Sequence, residues 1–275
     1  MTLNCNGILL DLNTPKIMGI LNVTPDSFYD GGKWHSDKLL LQQVEAMLED
    51  GASIIDIGGV SSKPGAQEVS LQEELKRVVP VVGTIAKQFP EALISIDTFR
   101  AEVAQQGIEA GGHIINDISA GTLDKKLIET VAELRVPYIL MHMQGIPKNM
   151  QNNPSYSNVL LNIFDFFIER VRFLQQAGIK DVVLDVGFGF GKTLEHNYTL
   201  LKHLSTFHLL NIPILAGISR KSMIWKALKS SPDKALNGTT ALHMVALQQG
   251  AKILRVHDVK EAVEVIQLHS MLEMQ

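Results

Sequence analysis

The chain has 275 residues, 45% of them hydrophobic and 20% charged, with a formal net charge of −4. This length and balance suit a large buried core and exclude a disordered chain, while the negative charge argues against a general nucleic-acid binder, which needs a basic face. The one cysteine, Cys5, leaves no intrachain disulfide and no cysteine metal site; no apolar run approaches the roughly 20 residues of a membrane span and no signal-peptide pattern opens the chain, so a soluble, cytoplasmic protein with no membrane or nucleic-acid partner is expected.

In chain order, Gly7 to Leu10 is expected to add a strand that plugs the floor of the fold, within residues 1–15. Ile17 to Asn22 is the first of eight short apolar runs. The others are Ser53 to Gly59, Ala92 to Asp97, Ile114 to Asp117, Val136 to His142, Asp181 to Asp185, Ile212 to Gly217 and Ile253 to His257. Between them lie helical patterns. Leu71, Leu75, Val78, Val82, Ile85 and Phe89 form one apolar face, opened by Ser70-Leu71-Gln72-Glu73 as a capping box. Val159, Ile163, Phe166, Phe167, Val171 and Leu174 form another, with Gly178 as its stop.

Short strands that are apolar throughout are buried on both faces, as in parallel sheets covered by helices. Strand and helix alternate without a linker, which predicts one (β/α)8 TIM barrel spanning residues 1–275. A doubly wound open sheet is the structural rival. The barrel is favoured because polar residues stand at the carboxyl end of nearly every run, the rim where a barrel builds its active site. These are Asn22, Asp97, Asn116, Asp117, His142, Asp185, Ser219, Lys221, Arg255 and His257. Any one of them is equally at home in a helix cap or a turn; together they offer acceptors and amides to a flat heterocycle and cations to an anion.

Two polar, glycine- and proline-rich loops, Asn22 to Gly32 and Gly58 to Ala66, suit mobile lids. Gly191-Lys192-Thr193 looks like the end of a phosphate-binding loop, but Val186 stands where its first glycine belongs, and Lys192 occupies the last glycine position of a dinucleotide fingerprint. The remaining histidines (35, 113, 196, 203, 208, 243 and 269) show no metal-ligand spacing and read as surface or core residues.

Asn22-Val23-Thr24-Pro25-Asp26-Ser27-Phe28, the Gly58 loop, Ile96-Asp97-Thr98, Asn116-Asp117, the Asp185 to Thr193 segment, Ser219-Arg220-Lys221-Ser222 and Arg255-Val256-His257 resemble, in order, the dihydropteroate synthase family. That resemblance implies a transferase joining 6-hydroxymethyl-7,8-dihydropterin diphosphate to p-aminobenzoate. It places the pterin on Asp97, Asn116, Asp185 and Lys221, and the diphosphate near Asn22, Lys63, Arg255 and His257. Mg2+ would bridge through Asn22. Ser62, Pro64, Phe190, Lys221 and Ser222 would form the p-aminobenzoate wall. Catalysis would fall to Asn22, Lys221, Arg255 and His257, and a homodimer would form through the last helix.

The family usually has glutamate, threonine and arginine where this chain has Val60, Ser62 and Lys63. Val186 stands for a proline and Tyr29 for a serine. Lys63 keeps the charge but loses the bidentate fork. These departures bear on p-aminobenzoate affinity and sulfonamide response rather than on the reaction. The rival functions are a methyltetrahydrofolate-corrinoid methyltransferase in a related barrel, a silent pterin-binding paralogue, and an aldolase barrel, disfavoured because this chain has no strand-end lysine in an apolar strand to form a Schiff base.

Overall fold

The structure is a computed structural model that describes residues 1–23, 33–61 and 68–274, the side chains of residues 33–37 excepted. Two short strands, β1 (Thr2–Cys5) and β2 (Ile8–Asp11), pair antiparallel as a hairpin. The segment expected as one extra strand therefore folds as two. Eight parallel strands follow: β3 (Lys16–Asn22), β4 (Ile54–Gly58), β5 (Leu93–Asp97), β6 (Ile114–Asp117), β7 (Tyr138–Met141), β8 (Val182–Asp185), β9 (Ile214–Ala216) and β10 (Ile253–Val256). They close in the order β10-β3-β4-β5-β6-β7-β8-β9. This is the expected TIM barrel, and a closed ring rules out the open-sheet rival.

The helices that matter for the site are α1 (Lys33–Glu49), α2 (Leu71–Gln88), α3 (Ala101–Glu109), α4 (Leu127–Leu134), α5 (Val159–Gln176), α6 (Leu194–Lys202), α7 (Ser222–Ala227), α8 (Leu236–Gln248) and α9 (Val259–Glu273). Ser70 Oγ accepts from the Glu73 amide at the start of α2, but the Glu73 carboxylate turns to Arg77 at 2.9 Å. Only half of the expected capping box forms, because an i,i+4 arginine offers that carboxylate a charged partner. At the end of α5, Gly178 takes φ +96° and the Ile179 amide reaches the Leu174 carbonyl, the stop that the glycine predicts.

Side chains alternate across a strand, and this alternation divides each strand's work. One outward set, including Ile55, Ile57, Ile94, Ile96, Leu140 and Leu184, packs with the helices in the main core. The inward set forms layers. Met18, Ile54, Leu93, Ile114, Ile139, Val183, Leu215 and Ile253, one from each barrel strand, make a dry layer that the hairpin's Leu3, Cys5, Leu10 and Leu12 complete. Two residues further along each strand stand Ile20, Asp56, Ser95, Asn116, Met141, Asp185, Gly217 and Arg255. Polarity thus begins one layer above an apolar floor.

Candidate active site

Asp56 is fully buried and its Oδ2 accepts from Asn116 Nδ2 at 3.0 Å and from Arg255 Nε at 2.6 Å. A second Arg255 donor, Nη2, reaches Asp97 Oδ2 at 2.6 Å. One guanidinium therefore bridges two carboxylates on neighbouring strands. Asp56 was not in the expected set. Against a desolvation that works the other way, Asp56 and Asp97 hold the Arg255 pKa above its ordinary value. Asp97 is pushed up to about 7, first by burial and against the pull of Arg255, with Asp56, Glu74 and Asp117 adding repulsion. Its side chain retains 22% exposure toward the mouth.

Across the barrel, the buried Asp185 carboxylate accepts from the Gly187 amide at 2.8 Å through Oδ1. Burial raises its pKa, and Lys221, the Gly187 amide, Arg255 and Lys192 oppose that rise. A methyl group placed on Gly217 would lie 3.7 Å from both Asp185 Oδ2 and Lys221 Nζ, so these two groups flank a strip of bare backbone. Gly58 does the same beside Asp97, with 3.4 Å to Oδ2. The two glycines keep side chains out of the slot between the polar groups. Lys221 Nζ donates to the Phe188 carbonyl at 2.5 Å and sits 4.7 Å above the centre of the Phe190 ring. Burial pushes its pKa down to about 8, with Asp185 pulling the other way and Arg255 lowering it further.

At the rim, Ser219 Oγ accepts from the His257 amide at 3.1 Å and lies 3.0 Å from His257 Nδ1. The hydroxyl can direct its own hydrogen to Nδ1, or accept a second one from it. Desolvation, then Arg255, pushes the His257 pKa down to about 4. His257 is nonetheless an exposed residue, so solvent screens that shift. Asn22 is exposed at the end of β3, and Ser222 opens α7 beside Lys221.

The expected residues Asp97, Asn116, Asp185, Arg255 and His257 thus belong to consecutive inward layers, with Lys221 beside them at the start of α7, over the Phe190 ring and next to Ser222. Ser62, Lys63, Pro64 and Tyr29 lie outside the described residues. Val60 is half-buried and Val186 fully buried. Two rim candidates leave the group. Asp117 is out of phase with Asn116 and turns away from the barrel, accepting from the Ser119 and Gly121 amides and, at 2.5 Å, from the Tyr138 hydroxyl. His142 is buried and lies 3.1 Å from the Lys192 amine.

The tempting lysine-threonine pair has another use. Thr193 and His196 form a reciprocal capping box at the start of α6. Of the other histidines, His113 accepts from the Ile94 amide and His208 lies 3.1 Å from the Gln249 carbonyl. Among the described residues, no group of three or more His, Cys, Asp or Glu side chains is placed to hold a metal, and no helix is long and apolar enough to cross a membrane.

The polar groups gathered at this mouth suit a flat heterocycle with hydrogen-bonding edges, and known proteins agree. A family model described as pterin binding enzyme matches residues 18–257. The dihydropteroate synthase of Escherichia coli (strain K12) is 49% identical over 270 residues, 98% of this chain and 95% of that protein. The Haemophilus influenzae dihydropteroate synthase is 47% identical and covers 98% of both chains. A crystal structure of the Yersinia pestis dihydropteroate synthase with a sulfonamide drug superposes with a TM-score of 0.94 at 46% identity, covering 100% of both chains. The Xanthomonas albilineans dihydropteroate synthase in complex with 7,8-dihydropteroate gives 0.90 at 37% identity, again with 100% of both covered. The chain belongs to the dihydropteroate synthase family of pterin-binding enzymes, and it is a transferase.

Proposed function

We propose that the mouth of this barrel binds 6-hydroxymethyl-7,8-dihydropterin diphosphate, joins it to p-aminobenzoate and releases 7,8-dihydropteroate and diphosphate. The observation that carries this reading is the inward layer of Asp56, Asn116, Asp185 and Arg255, with Lys221 beside it, facing a slot kept open by Gly58 and Gly217. A buried heterocycle needs each donor and acceptor matched. Asp185 takes the amino-pyrimidine edge; Asp97, Asn116 and Lys221 take the remaining polar atoms.

The diphosphate then lies outward, toward Asn22, Arg255, His257 and Lys63. Arg255 commits two of its five N–H donors to Asp56 and Asp97, which leaves others for an anion above it. A neutral His257 that accepts from Ser219 at Nδ1 presents an Nε2–H donor to the same place. The bond between the pterin methylene carbon and oxygen breaks with its electron pair leaving on the diphosphate. The positive charge left on carbon spreads into the electron-rich pterin, and the p-aminobenzoate nitrogen closes on that carbon and loses a proton. Donors aimed at the departing oxygens stabilise charge where it develops. Such a path needs no protein nucleophile. Phe190, Ser222, Ser62 and Pro64 form the p-aminobenzoate wall.

Asn22 fits a magnesium ion. Its amide oxygen is a hard, neutral donor at an exposed position, and an ion carried largely by substrate phosphates and water needs only one or two protein oxygens. When bound, Mg2+ supplies neutralising charge for the diphosphate. The same reading makes the enzyme a sulfonamide target, as the drug-bound Yersinia pestis relative suggests. It also takes the enzyme as cytoplasmic, where Cys5 stays a thiol, and as a homodimer through α9, where Leu268 is exposed together with Met271 and Leu272 while Val263 and Ile266 pack against the core. Sedimentation as a monomer only would remove the dimer.

Purified protein given the pterin diphosphate, Mg2+ and p-aminobenzoate is expected to form dihydropteroate. Turnover of methyltetrahydrofolate with cobalamin, and no dihydropteroate, would instead mark the chain as a methyltransferase.

A further inference from the structure

Lysine is almost never fully buried without a partner, yet Lys192 is 3% exposed. Its amine lies 2.9 Å from the Phe190 carbonyl, 3.2 Å from the His142 carbonyl and 3.1 Å from His142 Nδ1. Two of these groups only accept, and the imidazole is held neutral, with burial and then Lys192 pushing its pKa down to about 3. Three acceptors match the three hydrogens of an ammonium. Lys192 makes no direct ion pair among the described residues; burial pushes its pKa well below the ordinary lysine value, and the nearby Asp185 carboxylate opposes that fall.

We propose that Lys192 is a positioning residue of the reaction, tying the 187–191 loop to the end of β7 and so setting where Asp185, Phe190 and Lys221 meet the substrates. The inference rests on the reading of the site given above. The loop lies flush against the β7 exit. A methyl group on Gly187 would come 2.0 Å from the His142 carbonyl oxygen, and one on Gly191 2.4 Å from that of Gln144. Gly187, Gly189 and Gly191 all take positive φ, a winding that other residues resist.

What this loop presents is the working surface: the Gly187 amide on Asp185, the Phe188 carbonyl on Lys221, and the Phe190 ring under the same lysine. Tyr156 also ties the loop, through the Gly191 carbonyl at 2.8 Å, but brings no charge. Lys192 does both: it holds the loop and, when protonated, adds positive charge to the groups that oppose the burial-driven rise of the Asp185 pKa, the others being Lys221, the Gly187 amide and Arg255.

The test compares Lys192→Met, which keeps the length and removes charge and donors, with Tyr156→Phe and Phe190→Ala. Steady-state kinetics from pH 5 to 9 with the pterin diphosphate, Mg2+ and p-aminobenzoate give KM, kcat and the acidic limb of kcat/KM. Lys192→Met is expected to raise KM for p-aminobenzoate about tenfold and to move the acidic limb to higher pH. Tyr156→Phe, a loop tie without charge, should leave that limb in place. A Lys192→Met enzyme with KM within twofold of the parent and an unmoved limb would overturn the inference. If Lys192→Met does not fold, His142→Leu, which removes the ring acceptor and leaves the lysine, must raise the same KM about threefold, and an unchanged value overturns the inference equally. Phe190→Ala separates the two claims. If it leaves KM for p-aminobenzoate unchanged, the wall assigned above falls; if it raises KM while Lys192→Met does not, only the role of Lys192 falls.

Discussion

Replacing Arg255 with methionine isolates the strongest electrostatic feature of the site. Arg255 is the guanidinium that holds Asp56 and Asp97 together at 2.6 Å each. Asp56 is fully buried, and its Oδ1 already has no hydrogen-bond partner. After the substitution its carboxylate keeps only the Asn116 amide at 3.0 Å. Removing one partner of a buried ion pair costs about 3–5 kcal/mol, because the other charge is left uncompensated. The desolvation that Arg255 no longer suffers places the expected loss near the lower end, about 3 kcal/mol.

That loss should depend on pH. Asp97, which burial already pushes up to about 7, loses with the cation the charge that opposes that rise, so it holds its proton still more tightly in the folded state than in the unfolded chain. The folded state then binds more protons above the ordinary carboxylate pKa, and stability falls as pH rises. Urea denaturation at pH 8 should show the full loss with an unchanged m value, and at pH 5 less than half of it. Adding Asp56→Asn to the variant should return about 1 kcal/mol at pH 8 by removing one stranded charge. A loss below about 1 kcal/mol, equal at both pH values, would refute this description of the barrel mouth.

Asp185→Ala removes the acceptor for the pterin edge. At about 1.5–3 kcal/mol for each of two hydrogen bonds to a charged group, binding of the pterin diphosphate should weaken by roughly 10² to 10⁴ in isothermal titration; a change under about threefold would mean that the ring binds elsewhere. The folded Asp97 pKa of about 7 lies above its ordinary value of 3.8, so folding takes up a proton between them and this group's contribution declines as pH rises through that window. Asp97→Asn should therefore flatten the stability profile from pH 4 to 7, and an unchanged slope would place the titration on another residue. Tyr138→Phe strips a hydrogen bond from the buried Asp117 and should cost about 1.5–3 kcal/mol of stability with kcat and both KM values retained. A raised KM for the pterin would return Asp117 to the site.

The barrel itself was legible because its strands are short and carry apolar residues on both faces, as at Ile54-Ile55 and Leu93-Ile94. The inward layers were legible in principle from the same alternation. Asn116 and Asp117 are adjacent, so they face opposite sides of the sheet, and only one can enter the barrel. Gathering all polar residues at strand ends hid that distinction. Asp56 was missed for the opposite reason, since it stands inside its strand. A carboxylate in the middle of an apolar run requires a buried partner, and that was the available signal.

Other features depend on registers between distant segments. Arg255 meets Asp56 across 199 residues and Lys192 meets His142 across 50. No local pattern announces such pairs. The sequence of Lys192 pointed instead to a failed phosphate-binding loop, and the three left-handed glycines before it supply the geometry in which the amine turns inward.

The central claim is tested most directly by a crystal structure of the enzyme with 6-hydroxymethyl-7,8-dihydropterin diphosphate and Mg2+. The bicyclic ring should lie above the apolar floor, within hydrogen-bonding distance of both Asp185 and Asn116, with its phosphorylated arm toward Asn22 and His257. A ring bound outside the barrel mouth, or the arm directed down toward Met18 and Ile54, would contradict it.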